Sequence, residues 1–333
     1  MRIIFFGTPA PAARALEQLL RDKHLTIVGI VTQPDRPAGR SKHAQPPPVK
    51  QLAEALGLGR LVYQPPTLRD PSVVAQIAAL RPDLGVIAAY GEILRRDVLA
   101  IPPHGYLNIH PSLLPRYRGP APVTGAILAG DRETGVSIIR LTPRMDAGPI
   151  VAQLRMPMPD AARAGALTEE LFVRGADLLA GVIEPYVAGT LVPQPQDETQ
   201  ATYTQLLKKE DGRIDWALPA LQLERMVRAY DPWPVAWCMW RGAPLKILDA
   251  RLAASIGATP GRIDGTLVAC GSEALELLLV QPAGKRALGE VGLTLRVSHE
   301  ERCAADLQGV VHLGRLVTIV QRYGDQGCAK AGK

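Results

Sequence analysis

The chain has 333 residues, 47% of them hydrophobic and 21% charged, which predicts a folded globular protein large enough for two domains and excludes disordered and fibrous classes. No apolar run reaches the roughly 20 residues of a membrane span, and a strand pattern starts at Arg2, so the expectation is a cytoplasmic protein with no leader and no membrane partner. A net charge of +6 is compatible with a polyanionic partner such as nucleic acid, although charge alone does not require one.

The first predicted strand is Ile3 to Phe6, followed by Thr8 as a helix cap with Pro9 in the first helical position and Leu16, Leu19 and Leu20 at helical spacing. Thr26 to Thr32 reads as a second strand, and helical patterns follow at Val49 to Leu56 and Ser72 to Leu80. Leu84 to Ala89 and Tyr106 to His110 read as strands, Gly135 to Leu141 and Ile150 to Met158 continue the sheet, and Leu167 to Val187 is a long closing helix. Strand and helix alternation of this kind predicts an α/β domain, a doubly wound parallel sheet covered on both faces.

From Gly189 to Tyr203 the hydrophobic periodicity disappears and proline and polar residues collect, as in an interdomain linker. Beyond Gln205 come short apolar segments, APLKILDARL, GRIDGTLVAC and ALELLLVQP, which predict a small β-barrel or sandwich. The expected organisation is a catalytic domain at 1–188, a linker at 189–204, a second domain at 205–295 and a tail at 296–333.

Three features carry chemistry. After the first strand the chain reads GTPAPAA, without the GxGxxG of a dinucleotide site, and no GxxxxGK[ST] appears elsewhere. Asn108 and His110 alternate with Leu107 and Ile109, so the amide and the imidazole leave one face of a strand end, where a doubly wound sheet places its ligand crevice. Downstream, RMDAGPIV puts Asp146 in a tight loop, either as a turn carboxylate bonding its own backbone or as the group that fixes the imidazole tautomer and takes part in proton transfer. No serine or cysteine nucleophile stands at motif spacing. His104 and His110 are too far apart for one helical turn and no third histidine is near, so no metal is expected. Cys238, Cys270, Cys303 and Cys328 form no CxxC pair and read as inert reduced thiols. Direct transfer between two bound substrates fits this set better than covalent catalysis. The third feature is the connection Thr32 to Lys50, with Arg36, Arg40, Lys42 and Lys50 against Asp35 alone. It is either a solvated loop or one that closes over a phosphate backbone.

NIHPSLLPRYRG together with MDAGPIV is similar to the signature of formyltransferases that use 10-formyltetrahydrofolate. TQPDRPAGR, the linker and the second domain narrow the resemblance to the branch that formylates methionyl-tRNA, and it runs from Arg2 to about Leu288, with RIDWALPALQLERMVRAYDPWPVAW and QPAGKRAL included. The segment after Leu288 has no counterpart in it. The resemblance implies a Rossmann-like catalytic domain and an OB-fold-like barrel. It assigns catalysis to Asn108, His110 and Asp146, and folate contacts to Ser112, Leu113, Leu114 and Pro115 and to Val86, Ile87, Ala88, Ala89, Tyr90 and Gly91. Arg40 matches a loop arginine that acts near the methionyl-accepting end of the tRNA. Arg36, Lys42, Lys208, Lys209, Lys246, Lys285 and Arg286, with Arg225 and Arg228, are the candidate phosphate contacts. Trp233, Trp237 and Trp240 are expected to pack where the domains meet rather than to stack on bases.

The implied co-substrate is 10-formyltetrahydrofolate, with no metal or nucleotide cofactor, and the implied partner is initiator methionyl-tRNA; a monomer suffices. Two alternatives stay open at this level. One is another 10-formyltetrahydrofolate enzyme acting on an amino sugar, a ribonucleotide or water, which would not need the basic loop. The other is a noncatalytic RNA binder, which would be expected to have lost the Asn, His and Asp set.

Overall fold

A computed structural model describes residues 1–37, 43–240 and 242–289. Arg40 and Lys42, the expected tail at 296–333 and the end of the expected second domain lie outside them. The chain divides into two compact units. The first takes Met1–Ala126, Asp131–Asp160 and Gly165–Leu206, and the second takes Ile127–Gly130, Ala161–Ala164 and the chain from Leu207.

Strand β1 (Arg2–Gly7) buries Ile3 and Phe5 on one side and Ile4 and Phe6 on the other. Apolar residues at both phases of a two-residue repeat are what a strand covered on two faces requires. Helix α1 (Ala10–Leu19) follows, with Pro9 in the capping position and no side-chain cap. The expected cap, Thr8, is used elsewhere: its hydroxyl donates to the Tyr90 carbonyl at 2.8 Å and accepts from the Gln33 amide at 3.4 Å, tying together three strand ends. Strand β2 (Thr26–Val31) leads into a two-stranded ribbon, β3 (Arg36–Pro37) and β4 (Ala44–Gln45). Helix α2 (Pro48–Ala55), strand β5 (Val62–Tyr63) and helix α3 (Pro71–Ala79) come next, α3 being capped by Asp70, whose carboxylate accepts from the Ser72 amide.

Strand β6 (Leu84–Ala88), helix α4 (Arg96–Leu99), strand β7 (Tyr106–His110), helix α5 (Pro122–Ala129), strands β8 (Glu133–Arg140) and β9 (Ile150–Pro157) and helix α6 (Ala164–Val187) follow. The seven-stranded sheet runs in the order β5-β2-β1-β6-β7-β8-β9. Neighbours are parallel from β5 to β7, as the alternation predicts, but β8 and β9 are antiparallel. The loop 141–149 between β8 and β9 is shorter than the dozen or more residues of a parallel crossover, so these strands meet as neighbours in a hairpin.

One apolar layer joins α1, α2 and α6 to the sheet through Ile3, Phe5, Val86, Leu107, Ile109 and Val136. The other covers the opposite face and includes Phe6, Ile77, Ile87, Val98 and Tyr106. Each fully buried aliphatic side chain in these layers contributes about 1.5–3 kcal/mol, which makes the sheet a rigid base for whatever its strand ends carry. The aperiodic stretch Gly189–Tyr203 is fastened along this unit. Gln194 and Ile150 exchange two backbone hydrogen bonds of 2.7 Å, and the Arg118 amide donates to the Thr202 carbonyl at 2.9 Å.

The second unit holds helix α7 (Ala220–Ala229) and strands β10 (Ala236–Trp240), β11 (Ala243–Ala253), β12 (Ile263–Asp264), β13 (Leu267–Ala269), β14 (Ala274–Pro282) and β15 (Leu288–Gly289). They form a six-stranded antiparallel sheet around a core that includes Leu223, Val227, Ile247 and Leu275. Trp240 lies in that core and half-buried Trp237 donates its indole N–H to the Lys209 carbonyl at 3.0 Å. Trp233 is 57% exposed in the turn before β10, outside the apolar core of this unit. Cys238 and Cys270 are free and buried, and burial pushes their thiols up to about 12 and about 11, which suits inert side chains. No described helix is long and apolar enough to cross a membrane.

Candidate active site

Strand β7 positions two of the expected catalytic side chains. Leu107 and Ile109 enter the layer beneath α6, so Tyr106, Asn108 and His110 must share the other face. The apolar cover of that face takes in Tyr106 and leaves the end of the strand to the two polar residues, which are nonetheless buried at 8% and 4% exposure. The Asn108 amide makes no hydrogen bond to another described residue. This unpaired amide keeps contact with solvent, where a ligand group can reach it.

His110 Nε2 stands 3.0 Å from the Tyr117 carbonyl oxygen. A carbonyl only accepts, so Nε2 carries the proton and the Nδ1 edge faces Asp146, whose Oδ2 is 3.8 Å away. Of the two groups beside the ring, the Tyr117 carbonyl is within hydrogen-bonding distance and the Asp146 carboxylate is not. At 3.8 Å the Asp146 carboxylate faces the Nδ1 edge of the ring without a direct hydrogen bond to it.

Asp146 reaches this place by an indirect route. Loop 141–149 leaves β8 at the level of Tyr106, where the Leu141 amide donates to the Tyr106 carbonyl, and then carries the carboxylate back along the face to His110. Asp146 Oδ2 accepts from the Gly119 amide at 2.8 Å. Asp146 and Tyr117 both have left-handed backbones, with φ of 48° and 62°. Such conformations cost about 1–3 kcal/mol each in non-glycine residues and persist only where the surroundings over-determine them.

The segment Ser112–Pro115 turns directly after β7. Its core is the fully buried Ser137 hydroxyl, which donates to the Ser112 carbonyl at 2.6 Å and accepts from the Leu114 amide at 3.1 Å and from Gln153 Nε2 at 2.9 Å. Gln153 also donates to the Leu114 carbonyl at 2.8 Å. All four residues of the turn line a cavity of about 310 Å³ together with Asp131, Arg132 and Gln153. The stretch Val86 to Gly91 divides by strand phase. Val86 and Ala88 point into the layer under α6, and Ile87 and Tyr90 into the opposite one, with the Tyr90 ring edge-on to Phe6 at 5.3 Å. Ala89 and Gly91 are exposed with left-handed backbones, so this stretch offers a ligand its main chain and Ala89 rather than six side chains.

The two arginines after the turn separate. Arg116 pairs with Asp131 at 3.0 Å and stacks on Tyr117, while Arg118 is fully buried against Gln196, Glu198 and Tyr203. Arg118 draws the Glu198 carboxyl below the usual range, chiefly by hydrogen bonding. In the basic loop, Arg36 is exposed on β3, but Lys50 closes on Asp35 at 2.8 Å, which also takes Gln64. That pairing removes Lys50 from the cations the loop offers. In the second unit Lys208, Lys209, Lys246, Lys285 and Arg286 are exposed, whereas Arg228 is held by Glu224 at 2.6 Å and by the Ala162 carbonyl. The structure therefore brings Asn108, His110, Asp146 and the Ser112–Pro115 turn into one neighbourhood. It adds the Tyr117 carbonyl, Ser137, Gln153 and Gln196, for which no local sequence signal exists.

A sequence model of the formyl transferases matches residues 1–182, and one of the formyl transferase C-terminal domain matches residues 206–291. The chain is 58% identical over 294 residues to the methionyl-tRNA formyltransferase of Roseiflexus sp. (strain RS-1), covering 86% of this chain and 90% of that one. It is 59% identical over 295 residues to that of Chloroflexus aggregans, covering 86% and 94%. Among solved structures it resembles WlaRD, a sugar 3N-formyl transferase, with a TM-score of 0.61 and 16% identity over 86% of this chain and 99% of that one. It also resembles HypX from Aquifex aeolicus in complex with tetrahydrofolic acid, with a TM-score of 0.58 and 21% identity over 89% and 48%. At those identities the two structures bear on the fold alone.

Proposed function

Because the chain belongs to the formyl transferase family and shares 58% identity with methionyl-tRNA formyltransferases over most of its length, we propose that it moves the formyl group of 10-formyltetrahydrofolate to the free amine of methionine esterified to initiator tRNA. The observation that carries the reading at the level of residues is the unpartnered Asn108 amide beside a His110 whose Nδ1 edge faces Asp146. An amide donor and an imidazolium donor on one strand end suit a carbonyl oxygen that becomes an oxyanion.

The methionyl amine attacks the formyl carbon, and the carbonyl oxygen takes up negative charge. Asn108 Nδ2 and His110 Nδ1 donate to that oxygen, contacts that strengthen as charge develops. The Tyr117 carbonyl holds the His110 ring from the far edge. The Asp146 carboxylate stabilises the imidazolium and, directly or through water, passes the proton released by the amine to the folate nitrogen that leaves. The Ser112–Pro115 turn and the main chain at Ala88–Gly91 hold the folate. Arg40, Arg36, Lys42 and the exposed cations Lys208, Lys209, Lys246, Lys285 and Arg286 take the tRNA phosphates.

The test offers the protein labelled 10-formyltetrahydrofolate with charged initiator tRNA, uncharged tRNA or small amines. Label is expected on the charged tRNA alone; transfer only to small amines, or release of formate without an acceptor, overturns the reading. Arg40→Ala is expected to lower turnover and tRNA binding while leaving folate affinity within about threefold, since a loop cation that meets the RNA plays no part in holding the other substrate.

A further inference from the structure

We infer that Gln196 and Arg118 are positioning residues that clamp the Asp146 loop to the turn holding His110, an inference that rests on the reading of Asn108, His110 and Asp146 as the reacting groups. The Gln196 amide is used at both ends. Its Nε2 donates to the carbonyls of Asp146 and Gly148, each at 2.7 Å, and its Oε1 accepts from Arg118 Nε at 3.0 Å and Nη2 at 2.8 Å. Arg118 is 0% exposed, and its remaining N–H groups reach Glu198 and the Tyr203 hydroxyl. Its place in the chain matters as much as its partners. The preceding residue, Tyr117, supplies the carbonyl that holds His110 Nε2, and the following residue, Gly119, supplies the N–H that holds Asp146 Oδ2.

One side-chain pair thus joins three segments that are distant in sequence: the turn after β7, the loop 141–149 and the strap around Gln196. The two residues it fastens, Tyr117 and Asp146, are those with left-handed backbones next to His110, the conformations that relax first when their surroundings loosen. Simple charge neutralisation does not explain Gln196. Glu198 already provides a carboxylate to Arg118 at 3.0 Å, whereas the glutamine adds no charge and aims its donors at the catalytic loop's own carbonyls. Displacing a reacting group by about 1 Å is enough to lower a rate by about 10²-fold.

Gln196→Glu separates the two halves of the clamp. It keeps an acceptor for Arg118 but turns the donating edge into a second oxygen facing two carbonyls. Gln196→Asn keeps the amide and falls about 1.5 Å short, one carbon–carbon bond. In the folded protein both are expected to lower kcat by about 10- to 100-fold with KM for both substrates within about threefold, the signature of disturbed geometry rather than weakened binding. Hydrogen exchange at the Gly119 and Ala147 amides, which bond Asp146 Oδ2 and the Arg144 carbonyl, is expected to accelerate at least about tenfold, because closed amides become open ones. An unchanged kcat in either folded variant overturns the clamp, as does a loss confined to KM or a loss accounted for by the unfolded fraction. Should the parent protein itself fail to transfer formyl groups to charged tRNA, the functional reading is what fails, and unchanged exchange in the variants still refutes the clamp.

Discussion

Ser137→Ala isolates the support of the Ser112–Pro115 turn, proposed to hold the folate, from the chemistry. The Ser137 hydroxyl, with no exposure to solvent, uses its one donor on the Ser112 carbonyl and both acceptor positions on the Leu114 amide and Gln153 Nε2. Alanine removes all three bonds at once. Gln153 retains its bond to the Leu114 carbonyl, so the groups left without a partner are the Ser112 carbonyl and the Leu114 N–H. Each orphaned buried group costs about 1–3 kcal/mol, and with partial relaxation the pair is worth about 2–4 kcal/mol. For a unit of this size each kcal/mol moves the melting temperature by about 2–4 °C, so a fall of about 4–16 °C is expected. Because the loosened turn carries Ser112–Pro115 rather than Asn108 or His110, the kinetic effect should appear as a rise of about 3- to 30-fold in KM for the formyl donor, with kcat less affected. Differential scanning fluorimetry and initial rates at varied folate concentration read both numbers. A melting temperature within about 1 °C of the parent together with an unchanged KM refutes the reasoning.

Other perturbations separate chemistry, loop geometry and charge. Asn108→Ala should lower kcat by at least about 10²-fold without lowering the melting temperature, since the amide it removes has no described partner to lose; a stability loss matching the activity loss would contradict this. Gly148→Ala drives a Cβ into the Arg140 carbonyl oxygen, which is backbone and cannot move aside, so the Asp146 loop must shift, at about 1–3 kcal/mol, with loss of turnover seen in single-turnover assays. Glu198 has a folded pKa below its unfolded value, chiefly through its hydrogen bond from Arg118. Its stabilisation is therefore present above the ordinary glutamate range and lost as pH falls through the lowered value. Melting curves in mildly to strongly acidic buffers should show a smaller decline for Glu198→Gln than for the parent, and parallel declines would exclude this contribution.

How much is legible in the sequence depends on the range of each signal. Strand β7 can be read over Tyr106–His110 with the boundaries the structure has, because two-residue alternation is a local property of five consecutive residues. The pairing of Asn108 with His110 on one face follows from the same alternation. Thr8 misleads because a threonine before a proline is an ordinary helix start, while its partners, Tyr90 and Gln33, come from other strand ends. Lys50 looks like a free cation because only folding brings it onto Asp35.

The sequence by itself determined the alternation of strands and helices, the strand end that carries an amide and an imidazole, and the motif set by which the family is recognised. Tertiary structure decided which nitrogen of His110 meets the Tyr117 carbonyl, how Asp146 comes back along the sheet to meet it, and that the polar stretch around Gln196 is a strap tied to the Asp146 loop and to Arg118. The physical reason is sequence distance. Periodicity and turn chemistry act over a few residues, whereas Arg118 meets Gln196 and Gln196 meets Asp146 only after some 78 and 50 residues of intervening chain have been folded around a common sheet.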